Sequence, residues 1–548
     1  MREFSDTISK PFEAGLRRYH KTRRGEQQLF ELINLKSTQF GLVPYEPVVN
    51  PFSEEILGGG LLDLDFPFPQ LFVGKKYTLL ASRNKIYFVD PNDWSAIYEL
   101  TLYDAENVDN EKSITEGGHW EFIDFWDFWI LTNGKCSVFG CGKDRMLGDT
   151  FKVYVHDGVP VSCGCDHKGR VIFGGFDPTQ FWDSTWETLW DSWYAVNQDT
   201  GISQTTQEGA DTVKMPVGNN FVWWSSIGGG DALFLFFPQI VGQTGFITSS
   251  YGASKPIIMD ILKKNEQGFV PMPFQGMVRA SRPLGDYIIN YSDGGVNAMK
   301  PTAGPAPTME QIDLGLGGIS NRGAIAGDDN SHVYIDNSGM MIMISSNLEV
   351  TPLGYREFFY PLLGTDIIIS HSSNPQNNSR FGEYYISNGD QGFYLGEGGL
   401  NEHKQIVTST KYFQGNTIGF CNEMVDIADV FGYIGIDVLD GGMVGLKTLE
   451  WVRITGTETM WDPTVDASSL SVAVDYRYRI GTDTSWKRTS YKKVNREGIV
   501  YFPIAALDFR IMIRVSEYDK LDIDYIEYGI KIGDKRFQRS VPISRINA

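Results

Sequence analysis

Short apolar runs recur along the chain, each pair hinged on a few polar or glycine positions. "HVYIDNSGMMIMI" at 332–344 turns at Asn337–Gly339, and four segments follow the same plan: "DFWILTNGKCSVFG" (127–140), "HKGRVIFGG" (167–175), "DYIINYSDGGVNAM" (286–299) and "EYYISNGDQGFYL" (383–395). Asn-Gly, Asp-Gly and Gly-Gly steps between apolar runs are strong hairpin signals, because such turns need backbone with φ > 0. Turns at Asp90–Asp93, Asn133–Gly134, Lys168–Gly169, Gly228–Gly230, Asp293–Gly295, Asn337–Gly339 and Asn388–Gly389 are unevenly spaced. Their mean interval is close to the ~40–50 residues of a four-stranded propeller blade. The pattern predicts an irregular β-propeller of six or seven blades over residues 68–430. The recurring hairpin is read as the middle of a blade, repeated because each small sheet must bury its faces on its neighbours.

The two ends have a different character. Residues 1–67 mix charge with few apolar positions and contain Pro44, Pro47 and Pro51, which favour an extended arm over a helix. Such an arm either lies across another surface or remains a tail. Residues 431–548 hold a cleanly alternating segment, "SLSVAVDYRYRI" (469–480). It places Leu470, Val472, Val474, Tyr476, Tyr478 and Ile480 on one face, with Ser471, Ala473, Asp475, Arg477 and Arg479 on the other. Further strands are expected at 499–504, 508–516 and 521–533, giving an antiparallel, sandwich-like module. Within the propeller, a Trp-rich insertion at 176–201 spaces Trp182, Trp186, Trp190 and Trp193 at helical intervals, with Asp183, Glu187 and Asp191 beside them. That face is either a cover for a blade or a contact between subunits, where tryptophan is a frequent anchor.

Composition supports the all-β reading. Aromatics make up 13% of the 548 residues and there are 59 glycines, which suit pleated surfaces and tight turns. Five cysteines, an odd and low count, fit a chain folded in a reducing cytoplasm rather than on a disulfide framework. The N-terminus lacks the apolar core of a signal peptide, and "ALFLFF" (232–237) is far shorter than the ~20 residues of a membrane span. The chain is therefore expected to be soluble.

Charge changes the picture more. The net −20 divides into +4 over residues 1–24 and +3 over 447–548, leaving −27 for 25–446. An acidic body is a poor nucleic-acid binder, since phosphate contacts require clustered Lys and Arg. It suits a surface that DNA slides past, and equally a surface kept acidic for solubility. Arg17, Arg18, Arg23 and Arg24 concentrate the basic character of the arm and are read as an assembly contact.

Candidate chemistry is sparse. Cys136, Cys141, Cys163, Cys165 and His167 would read C-x4-C…C-x-C-x-H, which fits no common zinc spacing, and buried structural thiols remain the alternative. No metal or cofactor is assigned. Sialidases and many glycosidases use propellers, but "SDGGVNA" and "DNSGMMIM" lack the Thr-Trp ending of the sialidase box, and no spacing marks a carboxylate pair. "IGGGD" (227–231) leads into a strand rather than a helix, and no nucleophile elbow or His-Glu-x-x-His is present. The seven histidines are scattered. Acidic turns such as "DPND" (90–93) and "GDDN" (327–330) offer calcium-type oxygens, with solvated turn carboxylates as the alternative. No enzyme is expected.

The layout resembles the tail hub or nozzle proteins of short-tailed bacteriophages. "INLKSTQFGLVPYEPVVNPF" (33–52) is similar to the segment that precedes the propeller in phage structural proteins. "SLSVAVDYRYRIGTDTSWKRTSY" through "FRIMIRVSEYDKLDIDYIEYGIKI" resembles the closing module of the hub type. The resemblance implies a homohexameric structural protein of the virion tail, assembled in the host cytoplasm. It implies docking beneath portal and adaptor rings, carriage of a distal needle, spike or fibres, and passage of DNA without specific binding. The Trp insertion at 182–193 has no counterpart in that family. A propeller that recognises a receptor or glycan is the second reading.

Overall fold

Six units of four consecutive antiparallel strands follow one another along the chain: four are separate four-stranded sheets, one carries a fifth strand, and one is part of a ten-stranded sheet. The computed structural model describes residues 3–9, 29–38, 41–45, 48, 50, 66–75, 77–90, 93–104, 110–125, 128–141, 153–157, 161–175, 220–225, 268–302, 309–372, 382–396, 398–413, 416–421, 431–437, 446–456, 461–462, 467–478, 485–516 and 523–532.

Blade one runs from Gln70–Val73 to Asp93–Glu99, and blade two from Glu121–Phe125 to Val153–Asp157, with Leu102–Asp104 added in parallel at its outer edge. Blade three spans Cys163–His167 to Gly268–Pro271, and blade four Val278–Leu284 to Met309–Leu316. Blade five spans Ile325–Gly327 to Val350–Gly354, and blade six Ile368–Ser372 to Gly399–His403. A hairpin of Val407–Phe413 and Asn416–Cys421 takes the remaining position, its first strand packing against the inner strands of both blade six and blade one. The circle thus closes with six full blades and a two-stranded seventh. The chain is an all-β protein, an irregular propeller followed by an antiparallel sandwich-like module.

The recurring hairpins are the middle pair of their blades in blades two, four, five and six. In blade three, by contrast, the 167–175 hairpin joins the first and second strands. Residues 176–219 fall between that blade's second strand and its third, Phe221–Trp224, so the tight turn moves to the only short connection before them. The turn of 332–344 explains its sequence. Asp336 Oδ1 accepts from the Ser338 and Met340 amides at 2.9 and 2.8 Å and from the Ser338 hydroxyl at 2.8 Å. Gly339 then adopts φ 80°, which glycine does without a Cβ penalty. Blades two and three meet closely through Gly164, where a Cβ would lie 2.5 Å from Ile123 Cδ1.

The C-terminal module is built from both ends of the chain. In one sheet Lys447–Gly456 pairs with Ile499–Ala506 on one side and Ile523–Ile532 on the other, and Ile523–Ile532 also pairs with Glu3–Ser9 and, at Leu42, with Gly41–Pro44. In the other, Leu470–Arg477 pairs with Asp508–Val515, which pairs with Gly432–Asp437 and, through it, with Leu29–Ile33. Leu470, Val472 and Val474 are buried in the shared apolar core, and Ser471, Ala473 and Asp475 on the other face are buried as well, so this strand is covered on both sides, whereas Tyr478 is exposed. Leu29–Ile33 also meets the outer strand of blade six at Ile33, so one ten-stranded sheet runs from the propeller into the module.

Candidate functional site

Turns and inner strands from five blades converge at one end of the propeller axis around a cavity of about 500 Å³. Blade one contributes Lys75 from its first turn. Its amide donates to Asp124 Oδ2 of blade two at 2.6 Å, and its ammonium pairs with Asp166 of blade three at 3.1 Å. Gly74 permits that approach, since a Cβ there would lie 2.9 Å from Asp124 Oδ2. Blade three supplies Cys165, Asp166, His167 and Lys168. The Lys168 ammonium reaches Asp286 at 2.6 Å and holds that carboxyl below its usual range. Arg282 and Pro283 of blade four and Asp329 of blade five complete the rim. Phe122 forms an apolar wall, stacked on Phe72 with ring centroids 5.3 Å apart.

Beneath this cavity the axis is closed by charge. Glu121 has no exposed surface and pairs with Arg282, and it also acts on Arg322 from the connection between blades four and five. Burial opposes the charge on Arg282, yet Glu121 more than offsets it and the guanidinium pKa is raised. Arg322 is lowered by burial. The Glu121–Arg282 pair fixes which strands face one another, because Glu121 alone would be a fully buried charge without compensation.

Cys163 and Cys165 are not activated thiols. Burial pushes the thiol pKa of both Cys163 and Cys165 upward, so neither forms a thiolate at neutral pH. Cys163 packs at the seam of blades three and four, with Sγ 3.6 Å from Ser281 Oγ. Cys136 sits apart in blade two, at the Asn133 turn, and Cys141 ends the same strand. His167 lies at the cavity with Cys165, and burial lowers its pKa, leaving the ring neutral. Among the described residues, no group of three His, Cys, Asp or Glu side chains converges as a metal site. In the "GDDN" turn, Asp328 Oδ1 accepts from the Asn330 and Ser331 amides at 2.9 and 3.1 Å, which is turn capping. Trp182, Trp186, Trp190, Trp193 and the arm residues Arg17, Arg18, Arg23 and Arg24 lie outside the described residues.

The convergence at the axis was missed in the sequence, where Lys75, Asp124, Asp166, Arg282 and Asp329 lie in separate repeats. The available signal was positional: Asp124, Asp166, Arg282 and Asp329 all fall near the end of an inner strand or in the turn that follows it.

No family model matches the chain, and no curated protein does. Solved structures to which it is similar include PorZ, a surface component of the type-IX secretion system of Porphyromonas gingivalis, at 8% identity and a TM-score of 0.31 over 70% of this chain and 43% of that one. BamB from Moraxella catarrhalis aligns at 10% identity and a TM-score of 0.29, over 68% of this chain and 91% of that one. The extracellular domain of the hybrid two-component system BT4673 from B. thetaiotaomicron aligns at 10% identity and a TM-score of 0.31, over 83% of this chain and 49% of that one.

Proposed function

We propose that the chain is a non-enzymatic structural subunit of a short-tailed bacteriophage tail, a nozzle or hub. In this reading it forms a homohexamer below portal and adaptor proteins, carries the distal needle, spike or fibres, and lets DNA pass without specific binding. The observation that carries the reading is the join between propeller and module. Domains linked only by a tether move relative to one another by default. Here a continuous sheet and a set of polar clamps remove the hinge. Asn34 donates to the Phe431 carbonyl at 3.1 Å and accepts from the Lys404 amide at 2.9 Å. Gln405 bonds both the amide and the carbonyl of Val48 at 2.9 Å. Lys36 lies 3.4 Å from Glu383 and over the Tyr394 ring. A subunit stressed during DNA ejection requires such a joint, and the −27 body agrees with a wall that DNA passes.

Mass by light scattering together with electron microscopy of the purified chain tests this reading. The expected result is a sixfold ring with an open, Asp- and Glu-lined centre, weakened by Trp186→Ala with Trp190→Ala. A lumen lined by Lys and Arg, or a chain that stays monomeric even on its adaptor, overturns it. The open polar cavity favours a second reading, a propeller used for recognition.

A further inference from the structure

We propose that the basic edge of the C-terminal module docks, head to tail, on the acidic end of blades four and five of a second copy of this chain. Residues 485–496 carry the edge. They run along the outer strand Leu470–Arg477, with Arg488 opposite Asp475 and Lys493 opposite Ser471. This segment holds five Lys and Arg and no Asp or Glu, and all five cations are exposed. Arg488 is held by Asp475 at 2.7 Å, and Lys492 donates to the Tyr501 carbonyl at 3.0 Å. Lys487, Lys493 and Arg496 have no ion pair among the described residues. Exposed cations also guard an outer strand against stray pairing, so they alone do not identify a partner.

The aromatic rings among them point to protein. Arg477 and Arg510 lie over the Trp486 ring at 4.8 and 4.3 Å, and Arg514 lies 4.6 Å from both the Phe431 and Tyr491 rings. Arginine and aromatic residues anchor protein interfaces, and stacking orders these guanidiniums before a partner arrives. A nucleic acid fits less well. The Trp486 ring already carries guanidiniums, and Asp475 and Asp508 stand among the arginines, where they repel phosphate.

Charge complementarity names the partner, because the chain supplies both signs. The turns of blades four and five bring Asp286, Glu310, Asp328, Asp329 and Glu349 to one end, where Gly285 lies against Ser346. Lys168 engages Asp286, and Asp328 caps its own turn. Glu310, Asp329 and Glu349 are exposed, with no ion pair among the described residues. In one chain this end and the basic edge are set apart, since Lys487–Arg488 lies five strand steps beyond the outer strand of blade six, about 24 Å. Two different, complementary surfaces make a heterologous contact, which closes into a ring or runs on as an open array. The proposal rests on the subunit reading for closure of the ring, whereas the contact needs only two copies.

Carbodiimide cross-linking of mixed labelled and unlabelled full chains at low salt tests the contact. Cross-links between copies should join Lys487, Lys492 or Lys493 to Glu310, Asp329 or Glu349. By light scattering, Lys487→Glu with Lys493→Glu should weaken self-association about tenfold, and so should Asp329→Lys with Glu349→Lys. Mixing these two double variants should restore association, which misfolded chains would not do. Asp390→Lys, in an exposed turn of blade six, should change nothing. Cross-links that join other surfaces, indifference to both double variants, or a chain that does not self-associate overturns the proposal. So does a DNA duplex that binds the wild type, spares the Lys487→Glu, Lys493→Glu variant and displaces the second copy. A sixfold ring cross-linked elsewhere removes this contact and leaves the ring reading. The expected cross-links in dimers or open arrays keep the contact and remove the ring.

Discussion

At the propeller axis, Glu121 lies without exposed surface against Arg282 and near Arg322. In the C-terminal module, Val472, Val474, Ile511 and Ile513 fill the equivalent depth with hydrocarbon. The two regions solve different problems. The sandwich closes over two extended ladders whose register is set by alternation and long pairing, so its core is filled mainly by apolar volume, with Asp475 held by Arg488 at its margin. The axis must bring short inner strands from separate blades to one rotational setting, and apolar side chains do not distinguish one setting from another. Charged pairs and close glycine contacts do. This contrast predicts where each region is brittle.

The sharpest way to break the comparison is to remove one charge at the axis. Glu121→Ala leaves the partly buried Arg282 and the nearby Arg322 without their carboxylate and should cost about 2–3 kcal/mol, less than a fully buried pair, read by chemical denaturation. Adding Arg282→Met should recover part of that loss, because Arg322 is then the one cation of the cluster left without its carboxylate. In the module, Ile513→Ala should cost about 2–5 kcal/mol with no partner that restores it. If the double variant is no more stable than Glu121→Ala alone, the axis is held by packing and the contrast fails.

Acid should separate the regions further. His332 donates from Nε2 to the Pro283 carbonyl and accepts at Nδ1 from the Tyr291 hydroxyl, both at 2.9 Å, so the ring is satisfied as a neutral group. Burial pushes its pKa down to about 3. His403 of blade six, stacked on Tyr45, is pushed down to about 4 by burial. The unfolded chain takes up these protons near its ordinary value of about 6.5 while the folded chain does not. Stability from these groups is therefore whole above about 6.5 and is lost as pH falls toward 4. The loss is about 2 kcal/mol for each ring between pH 6.5 and 5, from about 1.4 kcal/mol per unit. Calorimetric scans should show the propeller transition falling with acid more steeply than the module transition, and His332→Phe should reduce that slope. Parallel movement of both transitions would mean the module carries comparable acid-sensitive groups.

Much of the architecture was legible in the sequence because hairpin turns and strand alternation are local. The 469–480 alternation marked the strand Leu470–Arg477, and Asn-Gly and Asp-Gly steps marked the middle pairs of four blades. The weaving of Glu3–Ser9 and Leu29–Ile33 into the module was not legible, since pairing to Ile523–Ile532 and Gly432–Asp437 across hundreds of residues leaves no local trace. The cavity was illegible for the same reason. Its wall is assembled by rotation about an axis, and one blade's sequence carries only a share of it.

The smallest effect concerns a device used in both regions. In blade five the Asp336 carboxylate gathers three donors of its own turn. In the module, Asn495 Oδ1 accepts from the Glu497 and Ile499 amides at 3.0 and 2.8 Å. Asp336 is 8% exposed and charged, whereas Asn495 is exposed and neutral. Hydrogen bonds to a charged acceptor are stronger, and donors left unpaired in a buried turn lose more than donors that water can reach. Asp336→Ala should therefore cost about 2 kcal/mol and Asn495→Ala about 0.5–1 kcal/mol. Asp336→Asn separates the two causes, because it keeps the acceptor oxygen and removes the charge. A cost near that of Asp336→Ala assigns the difference between the regions to charge. A cost near zero assigns it to burial, in which case the turn of blade five and the turn of the module are the same device at two depths.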